Sequence, residues 1–166
     1  MVLAAVAGVV TLSSACSGWR KQGERYYARG PHEATFTFVH PGAGWSPLKI
    51  SGLQVAWINP KLQGLIELHG QCEEQGDSSL YQYTDHLRID WTDWVVQEQS
   101  EHQLLGRAAL RTVAVAKLDG VPRQQELWVV KRAGCLFDLR YGAQPSKFAA
   151  GQPHFAAVVK SFTFVQ

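Results

Sequence analysis

Charge is missing from the start of this 166-residue chain: no Asp, Glu, Lys or Arg stands between Met1 and Trp19. A long apolar run is missing as well. The stretch VLAAVAGVVTL falls short of the roughly 20 strongly apolar residues that span a bilayer, and has instead the length of a signal-peptide apolar region. Charge imbalance is small, with 16 Lys and Arg against 14 Asp and Glu, and the basic residues are set singly. No basic stripe forms, so nucleic acid is not an expected partner. Catalytic signatures are lacking too: there is no Gly-x-Ser-x-Gly elbow, phosphate loop, dinucleotide fingerprint or His-Glu-x-x-His, and no cofactor is implied. Internal repeats and low-complexity segments are likewise absent.

What is present begins with Cys16, in TLSSACSGWRKQGE. Ser13, Ser14 and Ala15 are small enough for an extended chain to enter a narrow peptidase site, and the thiol that follows supplies a nucleophile for a diacylglyceryl group. This looks like a bacterial lipobox, although Leu12 stands one place too early and no basic residue precedes the apolar run. Three readings stay open at Cys16: lipidation, ordinary secretory cleavage near Ala15, or an uncleaved anchor or core strand. The first is preferred. It makes residues 1–15 a signal peptide and holds the protein on a membrane through lipid, since several acyl chains together anchor stably where one does not. Ser17 in place of Asp, by resemblance to Gram-negative lipoproteins, favours the outer membrane facing the periplasm. Residues 16–33, polar and broken by Gly and Pro, read as a solvated tether. Residues 34–166 remain as one domain, long enough for a single sizeable core.

Cys72 and Cys135 form an even pair in an oxidising compartment, which suggests a disulfide. The alternatives are two buried free thiols or, with His69 three residues before Cys72, a metal site; no Cys-x-x-Cys supports the metal, and none is expected.

Period-two signals dominate the domain. ATFTFVH alternates Phe36 and Phe38 with Thr35 and Thr37, as a strand with one buried face does. LQVAWIN and GLIELHG read as two strands joined by a hairpin at Asn59-Pro60. In DSSLYQYTDHLRIDWTDWVVQ, Leu80, Leu87, Trp91, Trp94 and Val95 recur at helical spacing, and Asp77 or Ser78 is placed to cap a long amphipathic helix. From Arg111 to Ala143, three apolar runs are joined by Asp119-Gly120 and Ala133-Gly134, dipeptides suited to tight hairpin turns, so a three-stranded meander is expected. On its last strand Cys135, Phe137, Leu139 and Tyr141 share one face, and Leu136, Asp138 and Arg140 the other. Both faces carry apolar residues, and a helix is expected on each. PHFAAVVKSFTFVQ closes the chain as a helix, with Pro153 in its first turn and Phe155, Val158, Val159 and Phe162 in a stripe.

The opening strand and turn FTFVHPGAGW, the strand pair within LWVVKRAGCLFDLRY, and the closing HFAAVVKSFTF together resemble the Mog1/PsbP-like α/β family, whose bacterial envelope branch includes DcrB-like lipoproteins. The resemblance spans roughly residues 34–165. It implies an α+β fold, an antiparallel sheet flanked by helices in an α-β-α sandwich, and binding or assembly work in place of catalysis. It carries over no functional side chain.

Trp45, in a Gly-rich turn, and Trp57, on a nearby strand, are the candidate binding patch, with core packing as the competing reading. Asp85, Asp90 and Asp93 could hold an ion or do acid–base work, but with Arg88 between them they read better as a solvated helix face. Ser79 and Ser161 have no recognisable histidine partner in the sequence. The expected function is non-enzymatic: an accessory or docking subunit for a protein complex of the cell envelope. The alternatives are a carrier of a small apolar ligand or lipid, and an unrecognised hydrolase.

Overall fold

A computed structural model describes residues 19–31, 34–72 and 78–165; the leader and Cys16 lie outside the described residues. Among the described residues, two antiparallel sheets and two helices make up the fold. The larger sheet has seven strands: β4 (Ser46–Pro47), β5 (Val55–Asn59), β6 (Gly64–Gln71), β10 (Cys135–Ala143), β9 (Val121–Arg132), β8 (Arg107–Leu118) and β7 (Thr92–Leu104), in that spatial order. The smaller holds β1 (Trp19–Gln22), β2 (Arg25–Arg29), β3 (Thr35–Val39) and β11 (Thr163–Phe164). The helices are α1 (Leu80–His86) and α2 (Pro145–Ser161).

The expected meander is β8–β9–β10. Its turns take positive φ at both central residues, 51° and 78° at Asp119-Gly120 and 49° and 75° at Ala133-Gly134. That backbone matches the right-handed twist of the flanking strands, so the dipeptides fix the register. β5 and β6 pair as the expected hairpin.

Three expectations need correction. The long helix over residues 77–97 is not formed: α1 covers only Leu80–His86, its capping box made by Ser79 and Gln82, and Trp94 and Val95 belong to β7. A third hairpin turn, at Leu105-Gly106 with φ of 58° and 69°, returns β7 onto β8. Register shifts between Thr92 and Val95 and between Val96 and Glu98, together with φ of 51° at Asp93, break the period-two pattern. A strand interrupted in this way leaves apolar spacings that imitate a helix.

The tether is corrected over much of its length. Residues 19–29 form the β1–β2 hairpin, β2 pairs with β3, and Tyr26 and Ala28 are buried. The Tyr26 ring lies 4.9 Å from Trp19 and 5.7 Å from Trp57, and this aromatic contact holds a polar hairpin on the domain. Finally, α2 begins at Pro145, not Pro153, which lies inside the helix. Pro145 occupies the first turn, where its missing N–H has no intrahelical partner to lose.

The main core lies on one face of the large sheet. Ile66, Leu68, Val130, Phe137, Leu139 and Tyr141 meet Phe36 and Phe38 of the small sheet, Phe155 and Val158 of α2, and Phe162 just past its end. Tyr141 shows how closely this side is fitted: its hydroxyl donates to the Phe148 carbonyl at 3.1 Å, and burial pushes its pKa up to about 12. A Cβ at Gly151 would collide with that hydroxyl, so the helix approaches the sheet only with glycine there. On the opposite face a smaller cluster joins Tyr83 of α1 to Val129 and Leu136. These alternate with Val130 and Phe137 along β9 and β10, as residues on two faces must. The antiparallel sheet with two helices is as expected; the second sheet was not foreseen.

Candidate functional site

Cys72 and Cys135 are disulfide-bonded, with Cα atoms 4.2 Å apart. The bond lies where β6 meets β10: the ladder pairs Gln71 with Leu136, and the next step brings the two cysteines together. Their sulfurs are joined to each other and do not form a metal set with His69.

Trp45 and Trp57 do not form a surface patch. They are 4% and 0% exposed, and both belong to the main core. Trp57 lies within ring-contact distance of Phe38 at 5.1 Å and His40 at 5.8 Å, while Trp45 packs on Tyr141 at 6.2 Å and His154 at 6.0 Å. Burying an indole removes a large apolar area from water, and in both cases that outweighs display at the surface. Asp85, Asp90 and Asp93 are exposed; Asp85 pairs with Arg88 at 3.6 Å and Asp93 with Lys117 at 2.7 Å.

The structure brings together a different set, on the sheet face that carries α1. β6 contributes Leu65, Glu67 and His69, and β10 contributes Asp138, Arg140 and Gly142; the ladder sets Glu67 opposite Arg140 and His69 opposite Asp138. Asp138 is fully buried. One of its oxygens accepts from the Tyr83 hydroxyl at 2.8 Å and lies 3.3 Å from His69 Nδ1, and the other is 3.0 Å from Arg140 Nε. Arg140 also stands 3.8 Å from Glu67. Burial raises the Glu67 pKa, with Arg140 opposing; burial likewise raises that of Tyr83, and Asp138 adds to it. Burial works against a charged Arg140, but Asp138 and Glu67 overcome it and raise its pKa. Desolvation offsets much of the attraction in a buried network of this kind.

Beside this network lies a hollow of about 500 Å³. Ile58, Leu65, Trp91 and Leu118 give it apolar walls, and Glu67, Arg123, Gln125 and Arg140 supply its polar lining. Its size is that of small-ligand sites. Gly142 is one reason the space exists: on a strand otherwise bearing side chains, it leaves this part of the floor bare.

A second polar cluster ties the edge of the main core. Glu126 accepts from Arg111 at 2.8 Å, Trp128 Nε1 at 3.0 Å and Gln152 Nε2 at 3.1 Å. Burial disfavours its charge, but these donors overcome it and hold the carboxyl below its usual range. Two histidines pair with potential catalytic partners: His69 with Asp138, and His102 with Ser100 at 2.9 Å. The Ser100–His102 pair is on the exposed edge strand β7 and does not line the hollow. Ser79 caps α1, and the Ser161 hydroxyl donates to the Val158 carbonyl while accepting from the Val39 amide. Both serines are engaged in holding backbone.

Glu67 and Gln125 are not singled out in sequence, and Trp91 is taken there as a position on the expected helix. One trace was legible, since Asp138 and Arg140 share a strand face, a pattern unusual in an otherwise apolar run. Their partners come from β6, some 70 residues earlier in the chain, and local periodicity does not reveal that pairing.

No protein-family model matches the chain, and no curated protein matches it in sequence. Solved structures do share its fold. LpqN of Mycobacterium tuberculosis, described as involved in cell envelope biogenesis, is similar at 14% identity and TM-score 0.60, over 86% of this chain and 91% of that one. Cyanobacterial PsbP (CyanoP) of Synechocystis is similar at 12% identity and TM-score 0.58, over 98% and 99%. A protein of Bacteroides thetaiotaomicron is similar at 12% identity and TM-score 0.57, over 88% of this chain and 50% of that one, so the present chain spans half of its length. The fold is therefore PsbP-like.

Proposed function

We propose that this protein is a non-catalytic binding protein of the cell envelope, tethered through lipid on Cys16 and facing the periplasm from the outer membrane, in the manner of the DcrB-like lipoproteins. The hollow carries this reading: it combines apolar walls, a few converging polar groups and a rigid sheet floor, the usual makeup of a small-ligand site. A carrier role is favoured over docking because the two tryptophans considered for a docking patch are buried. The envelope address draws support from the apolar opening with Cys16, from the Cys72–Cys135 bond, which suits an oxidising compartment, and by fold analogy from LpqN.

Docking to an envelope protein is the second reading. What favours it is exposed apolar surface on β7 and the β8–β9 hairpin, where Val95 is 61% and Val121 46% exposed.

Membrane fractionation followed by intact mass measurement tests the address. The expected product begins at a diacylated Cys16 and is recovered with membranes; full-length chain with an unmodified Met1 in the soluble intracellular fraction contradicts it. Native mass spectrometry of gently extracted protein tests the carrier role. A small bound molecule, depleted in Trp91→Ala, is expected, and equal loading of both proteins contradicts a site in the hollow.

A further inference from the structure

We infer that the hollow selects an amphiphile with a carboxylate head, the apolar body lying against Trp91, Ile58, Leu65 and Leu118 and the head at Gln125 and Arg123; this rests on the carrier reading above. The sheet register sets out the polarity of the site. One row across the face is Glu67, Arg140 and Leu127; the next is Leu65, Gly142 and Gln125. Arg123 stands two residues before Gln125 on β9, and successive same-face residues on a strand are separated by about 6.6 Å. Glu67, the carboxylate among the lining residues, is thus at the Arg140 end and paired with it, as is Asp138 behind it. Arg123 stands at the other end, where its Nη1 donates to the Gln63 carbonyl at 3.0 Å and leaves further N–H groups of the guanidinium for an acceptor.

Gln125 points to the head group. The residue is 5% exposed and lines the hollow, and its Nε2 has no hydrogen-bond partner among the described residues. A buried amide donor without an acceptor is disfavoured, and native proteins rarely keep one. An acceptor arriving with the ligand satisfies it, and next to Arg123 an anionic acceptor is favoured over a neutral or cationic one. The absence of a side chain at Gly142 admits the ligand beside Gln125. A Cβ placed there would meet only Gln125 Cγ at 3.7 Å and the Gln124 carbonyl at 3.9 Å, ordinary contacts that the fold tolerates.

The test is calorimetric titration of the disulfide-bonded protein at pH 7.5 with dodecanoate and with dodecylammonium, both below their micellar concentrations. Dodecanoate is expected to bind at least tenfold more tightly than dodecylammonium. Gly142→Val, whose methyls project into the hollow, is expected to weaken dodecanoate at least tenfold at unchanged thermal midpoint. Gln125→Leu, which keeps the bulk and removes the donor, is expected to weaken it about tenfold, the equivalent of one charge-assisted hydrogen bond. If both amphiphiles bind equally and Gly142→Val blocks both, the carboxylate assignment is overturned while the hollow stands as the site. Should dodecanoate bind Gly142→Val and Gln125→Leu as well as the parent, the hollow itself is overturned, and failure of dodecanoate to bind at all overturns the head-group inference.

Discussion

The two faces of the seven-stranded sheet are built from the same strands by alternate residues, yet they differ in almost every physical respect. Towards α2 and the small sheet, Phe137, Leu139, Tyr141, Ile66 and Trp57 interlock with Phe36, Phe38 and Phe155. Towards α1, the intervening positions hold Glu67, His69, Asp138 and Arg140, a network beside a hollow that Glu67 and Arg140 help to line. α2 has 17 residues to cover its side and α1 only 7. The shorter helix leaves part of the sheet open, and at that opening polar groups converge on apolar walls. One face therefore carries most of the buried apolar core, and the other leaves the hollow in which we have proposed a ligand.

Breaking the closed face has the largest expected effect. Trp57→Ala deletes a fully buried indole, and it is expected to destabilise the protein by about 3–5 kcal/mol in denaturant titrations. Loss of less than about 1 kcal/mol would mean that the aromatic contacts are not a tight core.

The disulfide comes next. It closes a sequence separation of 63 residues, and the chain-entropy estimate for such a loop is about 4 kcal/mol as an upper figure. Reduction with dithiothreitol, or Cys72→Ser with Cys135→Ser, is expected to lower the denaturation midpoint markedly. An unchanged midpoint would contradict a bond that constrains the unfolded chain.

The two faces also differ in the sign of their pH response. The Glu126 carboxyl, beside the main core, is held below its ordinary value; its contribution is present above that ordinary value and is lost as pH falls through the folded one. Glu67, on the open face, is raised, so its contribution is full below the ordinary value and is lost as pH rises through the folded one. Glu126→Gln is expected to cost about 1–2 kcal/mol at neutral pH and less at pH 3. Removing the Glu67 charge is expected to change stability in the opposite sense with pH. Parallel pH profiles for the two variants would remove the distinction.

Trp91→Ala has the smallest expected effect on stability, below about 1 kcal/mol, because the side chain is only partly buried on the open side. Its effect is expected on ligand binding. A loss comparable to that of Trp57→Ala would show the hollow to be part of the core.

Much of the closed face was legible in sequence. Phe36, Phe38, Phe137, Leu139, Tyr141 and the Phe155–Phe162 stripe show their periodicity directly, and Asp119-Gly120 and Ala133-Gly134 mark turns whose chemistry is local. The open face was harder to read. Its hollow arises where Gly142, Leu65 and Gln125 meet from three strands, a register set by tertiary pairing, and Trp91 was assigned to a helix because the bulges in β7 disguise its period. The β1–β2 hairpin was hidden for a related reason: exposed Arg20, Lys21 and Arg29 give it the composition of a linker, and it is held by Trp19 and Tyr26 packing on residues far along the chain.

The division of labour between the faces is tested most directly by mapping dodecanoate binding with two-dimensional nuclear magnetic resonance. The expected shifts fall on the amides of Leu65, Gly142 and Gln125 and on the Trp91 indole, with the Phe155 and Val158 amides of α2 unmoved. Shifts concentrated on α2 and the small sheet, with Gly142 and Trp91 silent, would contradict the account.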